Sequence, residues 1–311
     1  MSVRVNLRGD EAWKVVGSRD FKVWPMASSY RGLSAATGLD FSAVIGAFDT
    51  HPLFLDGADH KAARVNAAMF LSTNRRAHEA VVDGVVDDVV AEIDNRQGDF
   101  DLLTELGDVM FDALAQSYCG VRDDLIPLSL SLQGLFLPKA PLRVRKATND
   151  RMQEIIDKDG KEALDQIILA VLGLRALSGG LVLSLHRIVT ENYGKRLCDI
   201  VFPETFSESV LRFADRMHAE PVVVSGCPYA AQTVFRCVTF DADYKPEENA
   251  KNLFGAGAHL CLGRPVSQYV WDRMVARLSL SQKRIKAGEI VVNDYEFYTA
   301  PAVCVVSVSD I

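Results

Sequence analysis

A mainly α-helical fold with small β-sheets, formed as one domain over residues 1–311, is what the sequence predicts, and three features predict it. Val81, Val82, Val85, Val86, Val89, Val90 and Ile93 recur on one stripe with acids opposite, the pattern of an amphipathic helix packed on a core. Ile167 to Leu185 is apolar almost throughout, as a buried central helix would be. Strand-like runs are short and few: Pro221 to Ser225, Glu289 to Val292 and Val303 to Val308. With 311 residues and 49% apolar content, the chain can bury a large core.

Taken in order, the start Met1-Ser2-Val3-Arg4 is polar and is no signal peptide. Residues 53–70 read as a helix entry that carries His60 and Arg64 four apart, on one helical face. Leu102 to Tyr118 is a second amphipathic segment. Ile126 to Pro141, with Pro127, Gly134, Pro138 and Pro141, reads as a loop. The 167–185 run is long enough to span a membrane, but Arg175 at its middle costs about 2.5 to 3.5 kcal/mol there, and Gly179-Gly180 weakens the case further. No membrane span is expected. Val266, Val270, Met274 and Leu278 mark one face of a C-terminal helix. A net charge of −7 argues against a nucleic-acid surface, and Arg143-Val144-Arg145-Lys146 is too short a basic run to supply one. Cysteines 119, 198, 227, 237, 261 and 304 show no paired spacing, which fits a reducing compartment, and the expected location is cytoplasmic.

The most informative stretch is Phe254-Gly255-Ala256-Gly257-Ala258-His259-Leu260-Cys261-Leu262-Gly263. It is a glycine-rich loop that presents one cysteine immediately before a helix opening on Arg264-Pro265, where proline suits the first turn. Glycines leave backbone N–H groups open to close approach, and the helix adds its positive end, so the Cys261 pKa is expected to fall and its thiolate to be available to a metal. Phe254 can shield the sulfur from water. Other readings compete. A dinucleotide turn needs a small residue where Leu260 stands and a strand before the loop, but Lys245-Pro246-Glu247-Glu248-Asn249 is polar. A zinc site needs more than His259 and Cys261. An ordinary buried thiol is the third.

At every fixed position this decapeptide resembles the heme-thiolate signature Phe-Gly-x-Gly-x-His-x-Cys-x-Gly of the cytochrome P-450 superfamily, and the His60-x-x-x-Arg64 helix is similar to that family's propionate-binding helix. The resemblance implies a truncated cytochrome P-450-like fold. It also implies heme b (iron protoporphyrin IX) as cofactor, Cys261 as the metal ligand, and Phe254, Gly255, Gly257, His259, Gly263, His60 and Arg64 as cofactor-binding residues. An axial thiolate favours O–O bond cleavage.

The chain departs from the pattern at several places. The distal helix of the resembled fold carries an acid followed by a threonine, whereas Gly173-Leu174-Arg175-Ala176-Leu177 puts Arg175 at the acid and Ala176 or Leu177 at the threonine. The Glu-x-x-Arg helix falls at Ser209-Val210-Leu211-Arg212, with Glu208 placed to pair with Arg212. From Met217-His218 the chain passes almost directly to Pro221, which implies loss of a segment that donates a propionate-binding arginine. The N-terminus starts late.

The resemblance therefore implies an oxidoreductase acting on a small, anionic organic molecule in biosynthetic or secondary metabolism. Arg175 would anchor the substrate, and oxygen activation would be of the peroxide type, as in a branch of the family that also places an arginine on this helix. The alternatives are a conventional monooxygenase fed by a ferredoxin-type reductant, with Ser178 or water replacing the relay, and a catalytically silent heme-binding partner of another enzyme. A second subunit or a carrier protein is a further expected partner, because the substrate roof is short.

Overall fold

The computed structural model describes residues 4–120, 125–137, 139–241, 243–294 and 298–310; Met1 to Val3 and Pro138, named above, lie outside them. Its helices are α1 (Gly9–Gly17), α2 (Met26–Thr37), α3 (Ser42–Phe48), α4 (Gly57–Ser72), α5 (Arg75–Asn95), α6 (Asp108–Cys119), α7 (Ile126–Leu135), α8 (Leu142–Asp159), α9 (Lys161–Glu191), α10 (Pro246–Asn252) and α11 (Arg264–Leu278). The strands are β1 (Arg4–Leu7), β2 (Lys22–Val23), β3 (Gly98–Asp101), β4 (Phe213–Met217), β5 (Val222–Val224), β6 (Cys227–Tyr229), β7 (Val234–Val238), β8 (Arg284–Asp294) and β9 (Thr299–Ser309). They form sheets in the orders β1-β7-β4-β2, β3-β9-β8 and β5-β6. Mainly α with small sheets is thus what the chain adopts.

Helix α9 is the axis of the core. Leu164, Ile168, Val171, Leu181, Val182 and Leu185 are buried along it, and α6, α8 and the β8–β9 hairpin pack around it. It is long and apolar enough to cross a membrane, yet 72% of its most apolar window is buried inside the molecule. The valine stripe is α5, with Val82, Val86, Val89, Val90 and Ile93 buried. Helix α11 lies on α5 through Val270, Trp271, Met274 and Leu278, and ion pairs Arg273–Asp83 at 2.6 Å and Arg277–Asp87 at 2.7 Å flank that contact.

Two expectations are corrected. The segment from Ile126 is helical as far as Leu135, not a loop: Pro127 occupies the first turn, where its missing N–H has no intrahelical partner, and Leu128, Leu132 and Leu135 are buried. Gly134 lets α7 meet α8 closely, since a Cβ there would lie 3.2 Å from Val144. Ser209 to Arg212 is not helical. That segment is drawn onto α9, where a Cβ on Gly179 would come within 2.7 Å of Val210, and the N–H groups of Ser207 and Glu208 donate to Ser184 Oγ at 3.1 and 3.0 Å. Its donors are satisfied without a helix. Glu208 reaches Arg187 at 2.8 Å and Arg212 at 4.0 Å. The short passage from Met217-His218 to Pro221 joins β4, which pairs with both β7 and β2, directly to β5.

Candidate cofactor site at the Cys261 loop

Left-handed backbone at Gly255 (φ 73°) and Gly257 (φ 64°) folds the 254–263 segment back on itself, so that Cys261 N–H donates to the Phe254 carbonyl at 2.8 Å. Gly257 has a second constraint. A Cβ would sit 3.0 Å from Gly17 Cα and 3.1 Å from its carbonyl oxygen, so only glycine lets the loop rest on the end of α1. Phe254 is partly buried, with the Arg264 guanidinium 5.7 Å from its ring centroid.

The Cys261 sulfur accepts hydrogen bonds from the N–H groups of Gly263 and Arg264 and lies in the field of Arg64. The expected fall in its pKa is corrected: burial, the largest effect, raises the thiol above its ordinary value, and the two N–H groups and Arg64 offset this only in part. Cys261 is exposed to solvent, although nearby protein atoms desolvate its sulfur. Cys237 and Cys304, buried and without such donors, are pushed up to about 12.

Next to this loop stands a set of cations and donors. His60 on α4 is 5% exposed, packs against His259 with ring centroids 4.1 Å apart and planes tilted by 33°, and its buried Nε2 has no hydrogen-bond partner among the described residues. Its pKa is lowered to about 4, first by burial and then by the charges of His259 and Arg64. Arg216 on β4 is 7% exposed, and burial holds its pKa below the usual arginine value; its guanidinium donates to the backbone carbonyl of Asp215 at 3.0 Å. Among the described residues two carboxylates bear on the group: Asp56, with Oδ1 3.8 Å from His259 Nε2, and Asp215, whose field reaches Arg216 but which is paired with Arg236 at 3.0 Å. A buried guanidinium such as that of Arg216 is costly unless an anion joins it. The propionates of a heme would be such anions and the Cys261 thiol could supply a ligand to its iron, so these residues fit that cofactor.

The sequence-predicted residues therefore separate. His60, Arg64, Phe254, Gly255, Gly257, His259, Cys261 and Gly263 come together at the loop. Arg175 and Ser178 are on α9: the Arg175 guanidinium is paired with Asp108 on α6 and lies 5.6 Å over the Phe111 ring, with 15% of its side chain exposed, and is not a free cation. Ser178 is buried and donates to the Arg175 carbonyl at 3.2 Å. Arg216 and Asp56 were missed. Arg216 sits in a strand that is too charged to be read as one, and Asp56 looks like an ordinary N-cap before Gly57.

No protein-family model and no curated protein sequence matches the chain. Solved structures do. P450BioI, in complex with hexadec-9Z-enoic acid ligated acyl carrier protein, is 15% identical with a TM-score of 0.74, covering 96% of this chain and 91% of its own. CYP109B1 from Bacillus subtilis is 14% identical with a TM-score of 0.68, over 98% and 93%. P450 RauA, complexed with a biosynthetic intermediate of aurachin RE, is 16% identical with a TM-score of 0.68, over 96% and 89%. A likeness this complete at so low an identity lies in the architecture, and the chain has the cytochrome P450 fold in a divergent form.

Proposed function

We propose that the chain is a heme-thiolate oxidoreductase acting on a small organic molecule, with Cys261 as the iron ligand and His60, Arg64, Arg216 and His259 receiving the propionates. The observation that carries this reading is the buried Nε2 of His60, without a hydrogen-bond partner among the described residues, in the field of Arg64 and His259, with Arg64 also acting on the exposed Cys261 thiol. Heme bound here would supply an iron whose thiolate ligand favours O–O bond cleavage. The chain's own part is to hold the sulfur with the Gly263 and Arg264 N–H groups, to shield it with Phe254, and to neutralise two carboxylates.

The commitment of Arg175 to Asp108 favours a conventional monooxygenase, with electrons from a ferredoxin-type reductant, over an arginine-anchored anionic substrate. The peroxide-type reading keeps one support: Arg175, Ala176 and Leu177 offer no side chain able to relay a proton. A biosynthetic role, with a substrate delivered free or on a carrier protein, is suggested by analogy with RauA and P450BioI. The test is the spectrum of the reduced, CO-bound protein, followed by turnover with peroxide and with a ferredoxin system. A red-shifted Soret band is expected; a protein that retains no heme, or gives an unshifted band, overturns the reading.

A further inference from the structure

Asp56 stands at the N-cap of α4, where an aspartate ordinarily accepts a hydrogen bond from its own helix, yet it makes no such bond. Its carboxylate points elsewhere. Oδ2 accepts the Val23 N–H of β2 at 2.9 Å, and Oδ1 faces His259 Nε2 of the cysteine loop at 3.8 Å, an ion-pair separation rather than a hydrogen bond. One side chain thus touches three elements that are far apart in sequence: the edge strand β2, the start of α4, and the loop. It is also the acid whose field reaches His60, His259 and Arg216 alike, whereas Asp215 is taken up by Arg236 at 3.0 Å and Arg4 at 3.5 Å.

A carboxylate in a site meant for carboxylates repels its ligand, so its presence needs another reason. We propose that Asp56 is a positioning residue for the proposed heme site: it fixes the His259 imidazole against His60 and ties the loop to α4 before the propionates arrive. The inference rests on the heme reading. The bond to Val23 anchors the acid, and the charge facing His259 orients the ring. These two contacts can be separated by substitution, because Asp56→Asn keeps an acceptor for Val23 but loses the charge, while Asp56→Ala loses both.

The experiment measures heme loss from the loaded protein to an excess of apomyoglobin, alongside thermal melting, for the wild type, Asp56→Asn, Asp56→Ala, His259→Ala and Asp56→Asn/His259→Ala. Asp56→Asn should speed heme loss by about tenfold, as outer-shell partners of cofactor ligands do, while melting close to the wild type. The double variant should lose heme no faster than His259→Ala, since both changes remove one shared interaction. Wild-type heme loss in Asp56→Asn, with only Asp56→Ala affected, would mean that Asp56 merely anchors β2, and additive effects in the double variant would separate it from His259. Either result overturns the proposal while leaving the heme reading intact. A wild type that takes up no heme would remove both.

Discussion

Cys261 is held by influences that differ in kind: two backbone N–H groups that any sequence could supply, a fixed charge from Arg64, and a loop shape that only glycines at 255 and 257 permit. Because burial still outweighs the first two, the thiolate needs the metal's own charge to form, and metal binding should release a proton. Cys261→Ser is expected to keep some heme through the cations but to lose the red-shifted Soret band of the reduced CO complex; an unchanged band would refute the ligand assignment. Arg64→Ala and Arg216→Ala should each lower heme retention more than Arg143→Ala, since Arg143 is exposed on α8. Heme-to-protein ratios after purification decide it. Arg175→Leu would leave the half-buried Asp108 carboxylate unpaired, and we expect a loss of about 1 to 3 kcal/mol in urea unfolding with no change in carboxylate affinity by spectral titration. A weakened carboxylate affinity would restore the anchoring role.

Helix α4 is unusual among the elements. His60 and Ala67 are its buried residues, Val65 and Met69 are 53% and 64% exposed, and its firm ties lie at its ends, in Asp56 at one and the Thr73 carbonyl held by His78 Nε2 at 2.9 Å at the other. A helix so thinly packed should open locally. We expect its amides to exchange quickly in heme-free protein and to become protected on heme binding, while those of α9 stay protected in both; mass-resolved hydrogen exchange reads this directly. The contrast between these helices also shows what the sequence made legible. Helix α9, α5 and α11 could be read because their burial is periodic along one segment. Residues 126–135 could not, because Pro127 and Gly134 punctuate a loop and a first turn or a close crossing equally well. Ser209 to Arg212 kept helical spacing but lost to the glycine face of α9, a partner roughly thirty residues away that no local window contains. At the site, the motif residues were legible one by one, whereas Arg216 and Asp56 acquire their meaning only from the sheet and the loop that meet them.

For the molecule as a whole, buried histidines shape the response to acid, and burial lowers the pKa of His78 as well as those of His51 and His60. His51 and His60 both have pKa values lowered to about 4, chiefly by burial, from an ordinary 6.5. Between these values the unfolded chain binds protons that the folded one does not, so stability rises with pH. The stabilising difference is complete above about 6.5 and is lost as pH falls towards 4, by up to about 3 kcal/mol for each histidine. If propionates sit beside His60, its share should vanish in heme-loaded protein while that of His51 remains. Urea midpoints from pH 4.5 to 7 with and without heme test this, and identical pH slopes would place the propionates elsewhere. The seating of the Cys261 loop on Gly17 has a consequence in time as well as in space. That end of the molecule is closed by contacts such as Gly9 N–H to Tyr244, 235 residues apart along the chain. During synthesis α1 and α4 are made well before the 254–263 loop that they hold, so a chain interrupted between them presents half of the proposed cradle.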